Sequence, residues 1–273
     1  MTEKSEDLAN RPIRPVEENA WTALRRFTDA RIALGRAGAS LPTAPLLAFT
    51  LAHAQARDAV HAPLDTQALI REIESRALAS IEVHSAAQSR EQYLRRPDLG
   101  RMLDAPSAAR LAQHAASGRG RPDLVFVIAD GLSAKAAASH ALPLIDRTLL
   151  RLVGWHIGPI VVATQARVAI GDAIGELMNA NMVAVLIGER PGLSSPASLG
   201  VYLTYQPRVG RTDAQRNCIS NVRPEGLGYD AAAFKLAHLA EAARVRQLTG
   251  IALKDESVWD GSLLSGDGAG GPP

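Results

Sequence analysis

Three short stretches place polar and charged residues where apolar runs end. Ala129-Asp130-Gly131-Leu132-Ser133 closes Leu124–Ala129, Gln165-Ala166-Arg167-Val168 follows Ile160–Thr164, and Gly188-Glu189-Arg190-Pro191-Gly192-Leu193 closes Met182–Gly188. Each has a plain structural reading when taken alone: Asp130 or Ser133 caps the next helix, Glu189 pairs with a neighbouring arginine, and Val168 is core. As the ends of three strands they share one rim, where such groups can surround a ligand. A separate island, Cys218-Ile219-Ser220-Asn221, holds the only cysteine. A lone cysteine is ordinarily a small buried hydrophobe.

Self-contained chemistry is harder to find. The chain has no G-x-x-x-x-G-K-[ST], no H-E-x-x-H and no paired C-x-x-C, and Gly192-Leu193-Ser194-Ser195-Pro196 lacks the second glycine of a nucleophile elbow. The literal G-x-G-x-x-G at Gly266–Gly271 follows no strand and precedes no helix, so no dinucleotide site is expected there. A stand-alone hydrolase, kinase or zinc enzyme is disfavoured, and no residue is assigned to catalysis or to a metal.

The elements that carry these stretches follow from periodicity. Leu124–Ala129, Ile160–Thr164 and Met182–Gly188 are short continuous apolar runs, and they alternate with helical segments at Ser133–Val153 and Ile170–Ala180. A βαβαβ order implies a parallel sheet with right-handed crossovers, covered on both faces, with ligands beyond the carboxyl ends of the strands. Ser198–Tyr205 reads as a further strand. Asp230–Gln247 reads as an amphipathic helix burying Phe234, Leu236, Leu239 and Ala243.

Upstream, residues 21–118 read as a helical region. Leu46, Leu47, Thr50, Leu51 and Ala54 recur at helical spacing after Pro42, a second helical stretch runs through Leu69–Ala87, and Ala115–Gly120 marks the boundary. The expected organisation is a flexible arm over 1–20, this helical region, a Rossmann-like α/β domain over 119–258 with helices on both faces of a parallel sheet, and a disordered Gly-rich tail over 259–273.

Composition limits the partners. Thirty basic residues against 28 acidic ones leave a formal charge of +2, and no block of Lys and Arg forms a phosphate-tracking stripe, so nucleic acid is not expected. The longest apolar runs are too short to span a bilayer, and the first residues are acidic and lack an apolar signal core. One cysteine forms no internal disulfide, so a reducing cytoplasm is the expected location.

Taken together, Pro122–Ser133 (PDLVFVIADGLS), Gly188–Leu193 (GERPGL) and Cys218–Asn221 (CISN) resemble the small subunit of ethanolamine ammonia-lyase in order and spacing. So does the upstream stretch running from Arg31-Ile32-Ala33-Leu34-Gly35-Arg36-Ala37-Gly38 through Leu41-Pro42-Thr43 to His53-Ala54-Gln55-Ala56-Arg57-Asp58-Ala59-Val60-His61. The resemblance covers residues 21–254. It implies an adenosylcobalamin-dependent radical lyase that converts ethanolamine to acetaldehyde and ammonia. It also implies a large barrel subunit that binds the substrate, and a hetero-oligomer of several large–small pairs. Carried over residue by residue, Val168, Glu189 and Cys218 match the family's cobalamin-contacting positions.

The absence of a D-x-H-x-x-G motif implies base-on cobalamin, its cobalt supplied by the cofactor. Family members can enter bacterial microcompartments through an N-terminal extension, but residues 2–19 show no amphipathic period, so the cytoplasm remains the expectation. Two rival readings stay open on the residues alone. One is a stand-alone Rossmann-like nucleotide-binding enzyme with Asp130 and Glu189 on ribose hydroxyls. The other is a non-catalytic binding subunit.

Overall fold

The computed structural model describes residues 16–118, 120–259 and 261. The Gly-rich tail beyond 261, with its G-x-G-x-x-G, and most of the 1–20 arm lie outside the described residues. Two compact units divide between Ala56 and Arg57. The described part of the first holds a 3-10 turn at Thr22–Phe27, an antiparallel bridge between Glu17 and Arg36, and most of helix α1 (Thr43–His61), which starts directly after Pro42.

In the second unit, α2 (Thr66–Ser75), β1 (Ser80–His84), α3 (Arg90–Arg95), α4 (Ala105–Ala116), β2 (Leu124–Ala129), α5 (Ala134–Leu149) and β3 (Ile160–Thr164) come first. They are followed by α6 (Ile170–Leu177), β4 (Met182–Gly188), β5 (Leu199–Tyr205), β6 (Asn217–Val222) and α7 (Tyr229–Arg246). The six strands form one sheet in the order β1-β3-β2-β4-β5-β6. No helix among the described residues is long and apolar enough to cross a membrane.

The strands expected to be parallel, β2, β3 and β4, are so, and the further strands β5 and β6 make the sheet as a whole mixed. β1, β3, β2 and β4 are parallel, whereas β4–β5 and β5–β6 are antiparallel. The cause is the connection. Residues 189–198 between β4 and β5 hold no helix, and a parallel return needs a crossover of a dozen or more residues. The helical reading of Leu69–Ala87 is corrected. α2 ends at Ser75, Ala77 takes a left-handed φ of 56°, and Ser80–His84 then alternates half-buried and buried residues as a strand. Ile81 and Val83 are β-branched, and their period is two.

Strand residues alternate between two hydrophobic layers. Leu124, Phe126 and Ile128 of β2 pack with α2, α5 and α7 on one face, while Val125, Val127 and Ala129 pack with α4 and α6 on the other. β2 and β4 are buried along their whole length, as near-continuous apolar runs require. In α7, Leu236, Leu239 and Ala243 are buried as expected, but Phe234 is half-buried, its ring centroid 5.2 Å from that of Trp259.

At the carboxyl edge, the turns after β2 and β4 meet backbone to backbone. Leu132 N–H donates to the Gly188 carbonyl at 2.9 Å, and a Cβ on Gly188 would strike the Ser133 and Asp130 carbonyls. Glycine is therefore required at 188 by close approach. The β2 connection leads to β3 on one side and the β3 connection leads across to β4 on the other, so the chain diverges at this edge.

Candidate functional site

The three strand-end turns do share one rim, and the structure assigns their residues different tasks. Ser133 caps α5, its hydroxyl accepting from Ala136 N–H at 3.3 Å. Asp130 is no cap. Its carboxylate reaches sideways to the β3 turn and accepts from Gln165 N–H at 2.9 Å, Ala166 N–H at 3.0 Å and Arg90 Nη1 at 3.0 Å. Burial pushes the Asp130 carboxyl up, and the Ala166 N–H, the Arg90 charge and the Gln165 N–H hold it down. The same turn is fixed twice more: Tyr93 Oη donates to the Ala166 carbonyl at 3.1 Å, and Arg167 N–H donates to the Gly100 carbonyl at 2.7 Å.

Asp130, Tyr93 and Gly100 thus set the backbone that carries Val168. Tyr93 is buried between two guanidinium groups, with Arg90 Cζ 4.8 Å and Arg167 Cζ 4.4 Å from its ring centroid, and burial pushes its phenol up to about 12. Three side-chain atoms here are buried without a hydrogen-bond partner: Arg90 Nη2, Gln165 Oε1 and Arg167 Nε. Orphaned donors and an acceptor cost free energy unless water or a bound group satisfies them.

Glu189 does not pair with an arginine. Its carboxylate accepts from the Ser198 hydroxyl at 2.5 Å and from Asn221 N–H at 3.3 Å, so the residue just before β5 and strand β6 both hold it. Val168 is half-buried against the α4/α6 layer and lines two cavities, of about 810 and 150 Å³, that share Arg167, Val168 and Tyr202. Glu189 lines the smaller one.

Cys218 is exposed on edge strand β6 and lies directly across from Tyr202 of β5, which corrects the buried-hydrophobe reading. Local desolvation pushes its thiol above the usual range, a hydrogen bond with Tyr202 lowers it, and the Glu189 charge raises it again. Val168, Glu189 and Cys218 are therefore gathered around one residue, Tyr202. Its phenol is raised by burial and by Cys218, and it carried no assignment from sequence. Only the β5–β6 register brings it opposite Cys218, and the period of a strand does not reveal its partner.

A chemical test of this grouping is available because Cys218 is the only thiol. The rate of alkylation of the full chain by iodoacetamide is expected to rise only above the ordinary thiol range, since the thiolate is the nucleophile. Glu189→Gln removes the neighbouring negative charge and is expected to shift that profile to lower pH. A profile unmoved by Glu189→Gln would separate the two residues.

Among the described residues no group of three or more His, Cys, Asp or Glu is placed to hold a metal ion. The arrangement offers an apolar edge, a carboxylate acceptor and unsatisfied guanidinium donors. It defines an α/β protein with a cleft at the carboxyl edge of its sheet.

Residues 18–254 match the family model for the ethanolamine ammonia-lyase light chain (EutC), and the chain belongs to that family. It is similar to the ethanolamine ammonia-lyase small subunit of Ralstonia nicotianae, with 60% identity over 242 residues, 88% of this chain and 90% of the relative. The small subunit of Azotobacter vinelandii is 57% identical over 262 residues, 95% of each chain, and that of Pseudomonas aeruginosa is 56% identical over 242 residues, 88% of this chain and 89% of the relative. The chain is accordingly a small subunit of a two-subunit lyase, and the stand-alone nucleotide-binding reading is not favoured.

Proposed function

We propose that this chain holds adenosylcobalamin against a large subunit that binds ethanolamine, with Val168, Glu189 and Cys218 on the cofactor's edge. The observation that carries the reading is convergence. Val168 of the β3 turn and Glu189 of the β4 turn line one cleft with Tyr202, and the edge strand sets Cys218 against that same tyrosine. The donor set suits a corrin ring fringed with amides. Val168 and Tyr202 offer apolar surface, Glu189 accepts from amide N–H or ribose hydroxyls, the orphaned Arg167 Nε wants an acceptor, and Gln165 Oε1 wants a donor.

When bound, adenosylcobalamin supplies a carbon-centred radical by homolysis of its cobalt–carbon bond, and the enzyme converts ethanolamine to acetaldehyde and ammonia. The residues of this chain bind and orient, and the covered cleft excludes water from reactive species. No group in it is given to substrate chemistry.

The finer fold reading goes with this role. The divergence of the chain between β2 and β4 supports a Rossmann-like core over residues 119–258, with the helical 21–118 segment lending β1 to its edge. Base-on binding, assembly as several large–small pairs and a cytoplasmic location belong to the same proposal.

The test uses the reconstituted large–small complex. Glu189→Ala is expected to weaken adenosylcobalamin binding by about 1–3 kcal/mol, roughly 5–150-fold, because Ser198 and Asn221 lose their acceptor along with the ligand. Turnover at saturating cofactor stays near the parent value. Unchanged affinity, or collapsed saturated turnover at normal affinity, removes Glu189 from the role.

A further inference from the structure

The larger cavity carries more positive charge than a neutral corrin edge needs. Four arginines, Arg101, Arg167, Arg211 and Arg216, line it together with two aspartates, Asp172 and Asp213. Both aspartates are spent on one arginine: Arg216 Nη1 lies 2.6 Å from Asp172 Oδ1, and Arg216 Nε lies 3.4 Å from Asp213 Oδ1. The other three make no salt bridge among the described residues, and Arg211 feels the Asp172 charge only at a distance.

Arg211 is held by backbone alone, its Nη2 donating to the Gln206 and Tyr205 carbonyls at 3.1 and 3.3 Å. Arg167 stacks on Tyr93 and keeps a buried Nε with no acceptor. Arg101 is exposed at the end of a 3-10 turn, with no ion pair. Positive charge left unneutralised in a concave site of about 810 Å³ favours an anion, and guanidinium forks match phosphate oxygens.

We infer that this cavity is an anion subsite in which Arg101, Arg167 and Arg211 hold the phosphodiester of the cofactor's nucleotide loop. The inference rests on the cobalamin reading above. The phosphodiester is the one anionic group of that cofactor, and Arg167 and Val168 are adjacent in the chain and line both cavities, so an edge seated on Val168 brings its charged loop to the arginines. Arg216 serves a different purpose. Its Nη2 donates to the Arg211 carbonyl at 2.9 Å and so fixes the segment that presents Arg211.

The experiment compares two ligands by spectroscopic titration of the large–small complex: adenosylcobalamin, and adenosylcobinamide, which lacks the nucleotide and its phosphodiester. Arg101→Gln and Arg211→Gln are each expected to raise the Kd for adenosylcobalamin about tenfold and to leave that for adenosylcobinamide unchanged. Arg101→Lys restores part of the loss, and the salt dependence of adenosylcobalamin binding is reduced in the Gln variants.

Equal weakening of both ligands, or of neither, overturns the assignment. So does weakened subunit assembly in the absence of cofactor, which would mean that the cleft seats acidic side chains of the partner. Failure of the parent complex to bind either ligand would instead overturn the cobalamin reading itself.

Discussion

Arg216→Met is expected to lower the stability of the folded chain by about 3–5 kcal/mol, the range seen when one partner of a buried ion pair is removed. The side chains of Arg216 and Asp172 are 2% and 3% exposed, and they meet through two short bonds of 2.6 and 2.7 Å. Arg216 also donates to Thr204 Oγ1 at 3.1 Å, tying β5 to α6. Burial already pushes the Asp172 carboxyl above its ordinary value, and Arg216 opposes that shift through its hydrogen bonds and its charge.

Without Arg216 the carboxylate has no compensation, and its folded pKa climbs further. An acid whose pKa is raised on folding favours the folded state below the unfolded value and loses that benefit as pH rises through the folded one. The deficit of Arg216→Met is therefore greatest above the raised value and shrinks on acidification towards the ordinary carboxylate range. Urea denaturation across that window measures it. Arg216→Met combined with Asp172→Leu is expected to recover most of the loss, since apolar replacement of both partners removes the stranded charge. A deficit below about 1 kcal/mol, or one that grows in acid, would contradict the account.

Asp130→Ala is expected to cost a comparable 3–5 kcal/mol and to abolish tight cofactor binding with it. Its carboxylate satisfies two backbone N–H groups of the β3 turn and Arg90, whose side chain is 13% exposed. Their loss strands two N–H donors and a charge in a region where Arg90 Nη2 already lacks a partner. The turn holds Gln165 at a left-handed φ of 54°, a conformation that a non-glycine residue keeps only when its surroundings impose it. Released, the turn moves Val168 and Arg167 together. Asp130→Asn keeps the size but turns an amide NH₂ towards donors, so it is expected to rescue little. Denaturation and cofactor titration of the complex give the two readouts. Full stability with weak binding would make Asp130 a ligand contact, whereas lost stability with normal binding would make it purely structural.

Much of the site was legible in the chain, for a physical reason. Continuous apolar runs ended by Asp130, Gln165 and Glu189 mark doubly buried strands whose carboxyl ends fall on one rim, and chain order alone places them there. The helix after Pro42, the cap at Ser133 and most of the buried face of α7 followed from local spacing. Strand β1 did not, because five residues alternating with period two inside a largely helical stretch give little local signal.

What only the tertiary structure decided is pairing. The antiparallel return of β5 and the placing of Cys218 opposite Tyr202 depend on register between strands. The reach of Asp130 across to the β3 turn, and the contact ion pair that Arg216 makes but Arg101, Arg167 and Arg211 do not, depend on which groups meet. Sequence fixes the type and local period of each residue. Charge compensation and hydrogen-bond satisfaction are properties of contacts between residues far apart in the chain, and these exist only once the sheet and its helices have packed.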